Sequence, residues 1–274
     1  MHWQIRNQEI LLNHTLLMGV VNVTPDSFSG DGVLQKDAQS HAAVQLAAGV
    51  DILDIGAESS RPGALPLSIE EELARLQPVV SHALTLADAI VSVDTYKPQV
   101  AQWALEQGAH IINDIQGGRN EAMLEVVGEY KAGYVLMHMQ GTPTTMQQRP
   151  TYDNIIDDLV AFFEERLAVA ERYGVSRNHI MLDPGIGFGK TLEHNLEIIR
   201  QLPELRRRLP LPWLIGSSRK SFIGTLTGKK EPQDRAWGTA ASVAIAAYNG
   251  AAAVRVHDVA AMKDVLLVAD GIKN

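Results

Sequence analysis

Short aliphatic and β-branched runs alternate along the chain with polar, Gly- or Pro-containing stretches. These are followed by segments whose apolar residues recur every three to four positions. The runs predict strands at Leu16–Val23, Asp51–Ile55, Ile90–Val93, His110–Asn113, Tyr134–Met137, Ile180–Leu182, Trp213–Ile215 and Ala253–Val256. Helices are predicted at Asp37–Ala48, Ser68–Leu86, Pro98–Gln107, Glu121–Tyr130, Asp153–Tyr173, Leu192–Leu209, Asp234–Tyr248 and Val259–Asp270. Eight strands each followed by a helix match an α/β chain folded as a (β/α)8 TIM barrel, with an open doubly wound sheet as the alternative.

The boundaries have local causes. Ser68 followed by Glu71 forms a capping box with Leu67 in front of it, and Pro98 occupies a first-turn position that needs no N–H. Gly49, Gly108, Gly133, Gly174 and Gly250 follow helical runs, where a left-handed residue ends a helix. No linker, charge block or repeat divides the chain, so residues 1–274 read as one domain. Hydrophobic residues make up 46% and charged residues 20%, enough for a large core. The net charge of −8 disfavours nucleic acid and anionic membranes, so any anionic ligand needs a local basic cluster. The chain has no cysteine, which excludes disulfides and thiolate chemistry. With no leader pattern and no apolar run of membrane-spanning length, the expectation is a cytoplasmic protein.

In a TIM barrel, chemistry sits at the carboxyl ends of the strands. Standing there are Asn22, Asp54, Asp94, Asn113, His138, Asp183, the group Ser218, Arg219 and Lys220, and finally Arg255 and His257. Each has a bland reading: an Asp or Asn after a strand often caps the next helix. Asp183 escapes it, because Pro184 and a glycine-rich loop follow. Asp54 lies inside an apolar run, where a carboxylate requires partners, either a structural network or a ligand. Arg255 and His257 alternate with valines, so the strand period puts both on one face about 6 to 7 Å apart, suited to gripping a dianion. The alternative is a salt bridge to Asp258. DPGIGFGKT, residues 183–191, fails both the phosphate-loop and the dinucleotide patterns, and its glycines suggest close approach of the backbone to a flat ligand. The nine histidines show no zinc spacing; His2, His14, His41, His82, His179 and His194 read as surface or packing residues. The loops 24–32 and 57–66 combine small, polar and proline residues with one Phe and one Arg, as functional loops do.

MGVVNVTPDSF, DIGAESSRPGA, SVDTYKP, HIINDI, LMHMQGTP, DPGIGFGK, GSSRKSFIG and RVHDV occur in the order found in the dihydropteroate synthase family, and from Met18 to Val259 the chain resembles a bacterial member. The resemblance implies a transferase of folate biosynthesis, the target of sulfonamides, that joins 6-hydroxymethyl-7,8-dihydropterin diphosphate to p-aminobenzoate. It places the pterin on Asp94, Asn113, Asp183 and Lys220, with Ile115, Met137, Phe188, Leu214 and Gly216 around it. Asp94, Lys220 and Asp183 are the implied catalytic residues. Asn22, Arg255 and His257 are the implied diphosphate residues, with Asn22 also a ligand of Mg2+. p-Aminobenzoate is implied against Phe28, Ser60, Arg61, Pro62, Phe188, Ser218 and Lys220, and a homodimer is the family expectation. Two departures stand out: SFSGDG, where many relatives read SFSDGG, moves the acidic residue to Asp31, and position 60 is Ser where Thr is also common. The competing readings are a methyltetrahydrofolate-dependent methyltransferase, which has no use for Arg61, Lys220 and the Arg255–His257 pair, and a non-catalytic pterin-binding paralogue.

Overall fold

A computed structural model describes residues 1–23, 33–59 and 65–273, with side chains from residue 36 in the second span. Phe28, Asp31, Ser60, Arg61 and Pro62 lie outside the described residues. An antiparallel hairpin, β1 (His2–Ile5) and β2 (Gln8–Leu11), comes first. Then follow β3 (Leu16–Asn22), α1 (Val33–Ala47), β4 (Ile52–Gly56), α2 (Ile69–Ala83), β5 (Ile90–Asp94), α3 (Pro98–Gln107), β6 (Ile111–Asp114), α4 (Glu121–Tyr130), β7 (Gly133–Met137) and α5 (Ile155–Arg172). The chain continues through β8 (Ile180–Asp183), α6 (Leu192–Arg200), α7 (Leu202–Arg208), β9 (Leu214–Ile215), α8 (Ser221–Thr227), α9 (Ala236–Tyr248), β10 (Ala253–Val256) and α10 (Val259–Lys273). The eight strands from β3 to β10 form one sheet in the order β8-β7-β6-β5-β4-β3-β10-β9, with parallel pairing throughout. The seam between β8 and β9 is closed by a bridge between Leu182 and Trp213 and by the Leu182 N–H donating to the Pro212 carbonyl at 2.9 Å. The predicted barrel is thus observed, with all eight strands where the apolar runs place them.

Strand alternation divides the core in two. Outward residues such as Leu53, Ile55, Val91, Val93 and Ile112 meet the helices. Inward residues Leu16, Met18, Ile52, Ile111, Val135, Met181, Leu214 and Ala253 fill the lower lumen, which Trp3 and Ile5 of the hairpin plug from below. The hairpin is absent from the sequence prediction because its two-residue turn carries no glycine; Arg6 itself takes φ +54°. The predicted helix Leu192–Leu209 is two helices, since Pro203 in the first turn of α7 has no N–H to continue α6. The short α8 was also unpredicted, and a 3₁₀ turn, Pro232–Arg235, precedes α9.

The Ser68–Glu71 capping box forms in both directions. Gly49, Gly108, Gly174 and Gly250 have positive φ, as predicted. Gly133 does not: Lys131 is the left-handed residue after α4, and Gly133 opens β7 because a Cβ there would stand 2.4 Å from the Ile5 side chain. Among the described residues no helix is long and apolar enough to cross a membrane.

Candidate active site

The alternation that fills the lower lumen continues upward. Two residues above Ile52, Ile111, Met181 and Ala253 stand Asp54, Asn113, Asp183 and Arg255. Asp94 follows Ser92 on β5 in the same way. A cavity at this end has Asp94, Asn113, Asp183, Ser218, Lys220, Arg255 and His257 as its polar lining, and Ile115, Met137, Phe188 and Gly216 among its walls. Leu214 does not reach it: this side chain is fully buried in the layer beneath, and Gly216, two residues on, lines the cavity instead. Val20 and Ile186 also line it. Val20 was legible from the period, lying between Met18 and Asn22 on the inward face. Asn22 ends β3 at the same end of the barrel. A second cavity, about 180 Å3, lies at the opposite end between the hairpin and α10.

Arg255 organises the floor. Its Nε donates to Asp54 Oδ2 at 2.6 Å and its Nη2 to Asp94 Oδ2 at 2.8 Å. Asp54, fully buried, also accepts from Ser92 Oγ at 2.6 Å and Asn113 Nδ2 at 3.1 Å. The question left open at Asp54 thus resolves to a network, one that orients two lining residues. Asn113 gives one of its two amide N–H donors to Asp54 and keeps its carbonyl oxygen as an acceptor. Two carboxylates share one guanidinium, and burial, opposed by Arg255 and reinforced by Asp54, holds Asp94 above the usual carboxylate range. Asp258 is not the partner of Arg255. It pairs instead with Arg219, at 2.5 and 3.1 Å.

That second pair fixes the turn 217–220. Arg219 has φ +58°, and the conformation is held by its N–H on Thr239 Oγ1 (3.0 Å) and by Arg235 on its carbonyl (2.8 Å). Ser218 accepts from the His257 N–H at 3.2 Å, and its Oγ lies 3.0 Å from Nδ1. Burial, then the charges of Arg255 and Arg219, lower His257 to about 3, so its imidazole is neutral.

Lys220 stands 4.1 Å from the centre of the Phe188 ring, and burial followed by the charge of Arg255 brings it down to about 8. Asp183 accepts from the Gly185 N–H at 2.7 Å and is raised by burial, against Gly185, Lys220 and Lys190. Glycines 185, 187 and 189 all have positive φ, but the close approach they permit is to the protein itself. A Cβ on Gly185 would lie 2.0 Å from the His138 carbonyl oxygen, one on Gly187 3.0 Å from Lys220 Cδ, and one on Gly189 2.8 Å from the Gln140 carbonyl oxygen. His138 turns away from the cavity toward buried Lys190, whose Nζ is 3.0 Å from Nδ1 and from the Phe188 carbonyl.

The site thus joins three acceptors, Asp94, Asn113 and Asp183, to the cations Lys220 and Arg255 and the neutral imidazole of His257. The chain matches the family model of the pterin binding enzymes over residues 18–257. The dihydropteroate synthase of Synechocystis sp. is 44% identical over 261 residues, covering 94% of this chain and 90% of its own. Among solved structures, the Yersinia pestis dihydropteroate synthase with a sulfonamide drug superposes with a TM-score of 0.94 at 40% identity, covering 100% of this chain and 99% of that one. The Xanthomonas albilineans dihydropteroate synthase with 4-aminobenzoic acid gives a TM-score of 0.93 at 39% identity, covering 99% and 98%.

Proposed function

Because the chain belongs to the pterin binding enzyme family, we propose that it condenses 6-hydroxymethyl-7,8-dihydropterin diphosphate with p-aminobenzoate, giving 7,8-dihydropteroate and diphosphate. It would supply folate biosynthesis in the cytoplasm. The observation that carries this reading is the set of three acceptors on three strands facing Lys220 across one cavity. An aminopyrimidinone edge presents N–H donors beside a carbonyl, and charge-assisted bonds from Asp183 and Asp94 set both orientation and affinity. Asn113 adds its carbonyl, Lys220 donates to the pterin carbonyl and ring nitrogen, and Ile115, Met137 and Phe188 wall the ring.

Arg255 and neutral His257 hold the diphosphate beside Asp94. Asn22 offers a hard oxygen ligand to Mg2+, which takes most of its ligands from phosphate and water. When bound, it neutralises the leaving diphosphate. The bond from the pterin methylene to oxygen breaks with its electron pair leaving on diphosphate. The carbon becomes cationic in conjugation with the electron-rich ring, and ionised Asp94 stabilises that charge as it develops. The arylamine nitrogen then forms the new bond and loses a proton, without a covalent enzyme intermediate. Phe28, Ser60, Arg61 and Pro62 would meet p-aminobenzoate together with Phe188, Ser218 and Lys220.

The active form is a homodimer in this reading. Trp237 is 88% exposed on α9, and Ile245, Tyr248, Leu267, Val268 and Ile272 extend an apolar surface over α9 and α10, as an interface requires. The test is diphosphate release from the pterin diphosphate, p-aminobenzoate and Mg2+, with each omitted in turn, and the mass in solution by light scattering. No release from the complete mixture overturns the activity; a monomer at micromolar concentration overturns the dimer.

A further inference from the structure

Lys190 ends the glycine-rich turn after β8 and is a buried amine, 4% exposed, that the reaction above does not use. Its partners within hydrogen-bond reach are not carboxylates: Nζ lies 3.0 Å from His138 Nδ1, 3.0 Å from the Phe188 carbonyl and 3.5 Å from the His138 carbonyl. Burying an ammonium without a carboxylate beside it is costly, and these bonds to two segments are what offset the cost.

Both segments carry the cavity. His138 directly follows Met137, a cavity wall, and its N–H donates to the Asp183 carbonyl at 2.9 Å. Phe188 is another wall and stands against Lys220, and Ile186 of the same turn lines the cavity too. The place a Gly185 Cβ would take is 3.4 Å from Nζ, and the Gly185 N–H is the donor to Asp183 Oδ1 at 2.7 Å. Nζ thus sits behind Asp183 and Phe188, and Lys190 is itself absent from the cavity lining. The outer side of the turn is held separately. Asn195 Oδ1 accepts from the Gly187 N–H at 2.7 Å, Gln147 Nε2 donates to the Gly187 carbonyl at 2.8 Å, and Tyr152 Oη donates to the Gly189 carbonyl at 2.7 Å. The turn therefore keeps these anchors when Lys190 is replaced.

Lys190 also acts by charge. Asp183 faces Lys220, Lys190 and Arg255, and each favours its anion. Burial lowers Lys190 to about 7, with the charge of Asp183 opposing and that of Lys220 adding, so it is a cation on the acid side of neutrality. The remaining titratable groups around it are His138, lowered to about 2 by burial, Lys190 and Arg119, His194 of α6, also lowered, and Tyr152, whose ring centre is 6.0 Å from Nζ.

We propose that Lys190 is a positioning residue for the pterin: from behind the wall it sets Phe188 against Lys220 and favours the anionic Asp183 that the N–H donors of the ring meet. The proposal rests on the functional reading above and gives Lys190 no contact with substrate. Its bonds reach neither Arg255 nor His257, so binding of diphosphate alone should not depend on it.

The experiment is titration calorimetry of the full chain with 6-hydroxymethylpterin and, separately, with inorganic diphosphate and Mg2+, for the parent, Lys190→Met, Lys190→Gln and Tyr152→Phe. Carbon-13 NMR of the aspartate carboxylates, with Asp183→Asn for assignment, follows Asp183 in the unliganded proteins. Lys190→Met removes the charge and every bond at similar length; it should weaken pterin binding roughly tenfold or more and leave diphosphate within about threefold. The Asp183 pKa should rise by about one unit, since a cation that favours its charged form is gone. Lys190→Gln, neutral but still a donor, should show the same rise with a smaller loss of affinity, and it decides the matter if the methionine variant does not fold. Tyr152→Phe removes a bond to the neighbouring Gly189 carbonyl and no charge, and should leave pterin affinity and the Asp183 pKa in place. Folded Lys190 variants that bind the pterin within about threefold of the parent, an Asp183 pKa that does not rise, or a loss in Tyr152→Phe as large as in Lys190→Met overturn the proposal alone. A parent protein that binds no pterin overturns the functional reading, and the proposal with it.

Discussion

Asp54→Asn tests the network under the cavity. In the native protein three donors converge on the two oxygens of this fully buried carboxylate: Ser92 on Oδ1, Asn113 and Arg255 on Oδ2. An asparagine can keep all three bonds if its oxygen takes the Oδ2 place and its amide donates to the Ser92 hydroxyl, which reverses. What disappears is the charge. Two charge-assisted bonds become neutral ones, at about 1 kcal/mol each, so the loss is roughly 2 kcal/mol. For a chain of this size that corresponds to roughly 4 to 8 °C in melting temperature. Asp54→Ala should cost about twice as much, since it also leaves the Arg255 and Asn113 donors without their acceptor. A second readout has the opposite sign. The Asp54 charge is one cause that raises Asp94, and its removal leaves Arg255 to Asp94 alone. The Asp94 pKa should therefore fall, and pterin binding should persist to lower pH in the variant than in the parent. Scanning calorimetry and titration of an unphosphorylated pterin from pH 4 to 8 measure both. A melting temperature within about 1 °C of the parent, or an acid limit of binding that does not move down, would refute the reasoning.

Asp183→Asn should weaken pterin binding roughly 10- to 150-fold, the equivalent of about 1.5–3 kcal/mol for a lost charge-assisted acceptor; titration calorimetry within threefold of the parent would remove Asp183 from the site. Pterin affinity should pass through a maximum with pH. It falls on the acid side as Asp94 and Asp183, both raised by burial, take up protons above the ordinary carboxylate range, and on the alkaline side as Lys220, lowered to about 8, gives up the proton it donates. Affinity that stays level from pH 7 to 10 would exclude Lys220 as a cationic donor. Gly185→Ala should destabilise by more than about 2 kcal/mol, because φ +70° disfavours a side chain and the new Cβ would lie 2.0 Å from the His138 carbonyl oxygen; a melting temperature equal to the parent's contradicts the close packing of this loop.

Strand number and order were legible because each barrel strand is a short apolar run, and the run is what a strand buried on both faces requires. Most lining residues were legible for a related reason. The inward face can be counted in steps of two from Ile52 to Asp54, from Ile111 to Asn113, from Met181 to Asp183 and from Ala253 to Arg255. Leu214 shows the limit of counting without depth: it shares the inward face of β9 but lies one layer too low. Partners were not legible. Asp258 is three residues from Arg255, yet the guanidinium goes to Asp54, 201 positions away, because only the closed barrel sets β10 beside β3 and β4 next to it.

The charge balance of the site follows from those pairings and bears on the chemistry. Asp54, Asp94 and Asp183 stand against Lys220 and Arg255, while His257 is held neutral. With every carboxylate ionised the group carries one negative charge in excess; burial raises both Asp94 and Asp183, and for Asp94 the charge of Asp54 adds to it. Such an imbalance opposes an anionic ligand in general, so in the proposed reaction the diphosphate would be met by Arg255 and His257. For a carbon that becomes positive as diphosphate departs, the same excess is favourable, and more so in the transition state than in the ground state. An Arg255 engaged by two carboxylates can also release part of its charge to the arriving diphosphate, and that leaves Asp94 freer to face the developing cation. Neutralising Asp54 should on this account weaken catalysis less than neutralising Asp94, although Asp54 is the more deeply buried of the two.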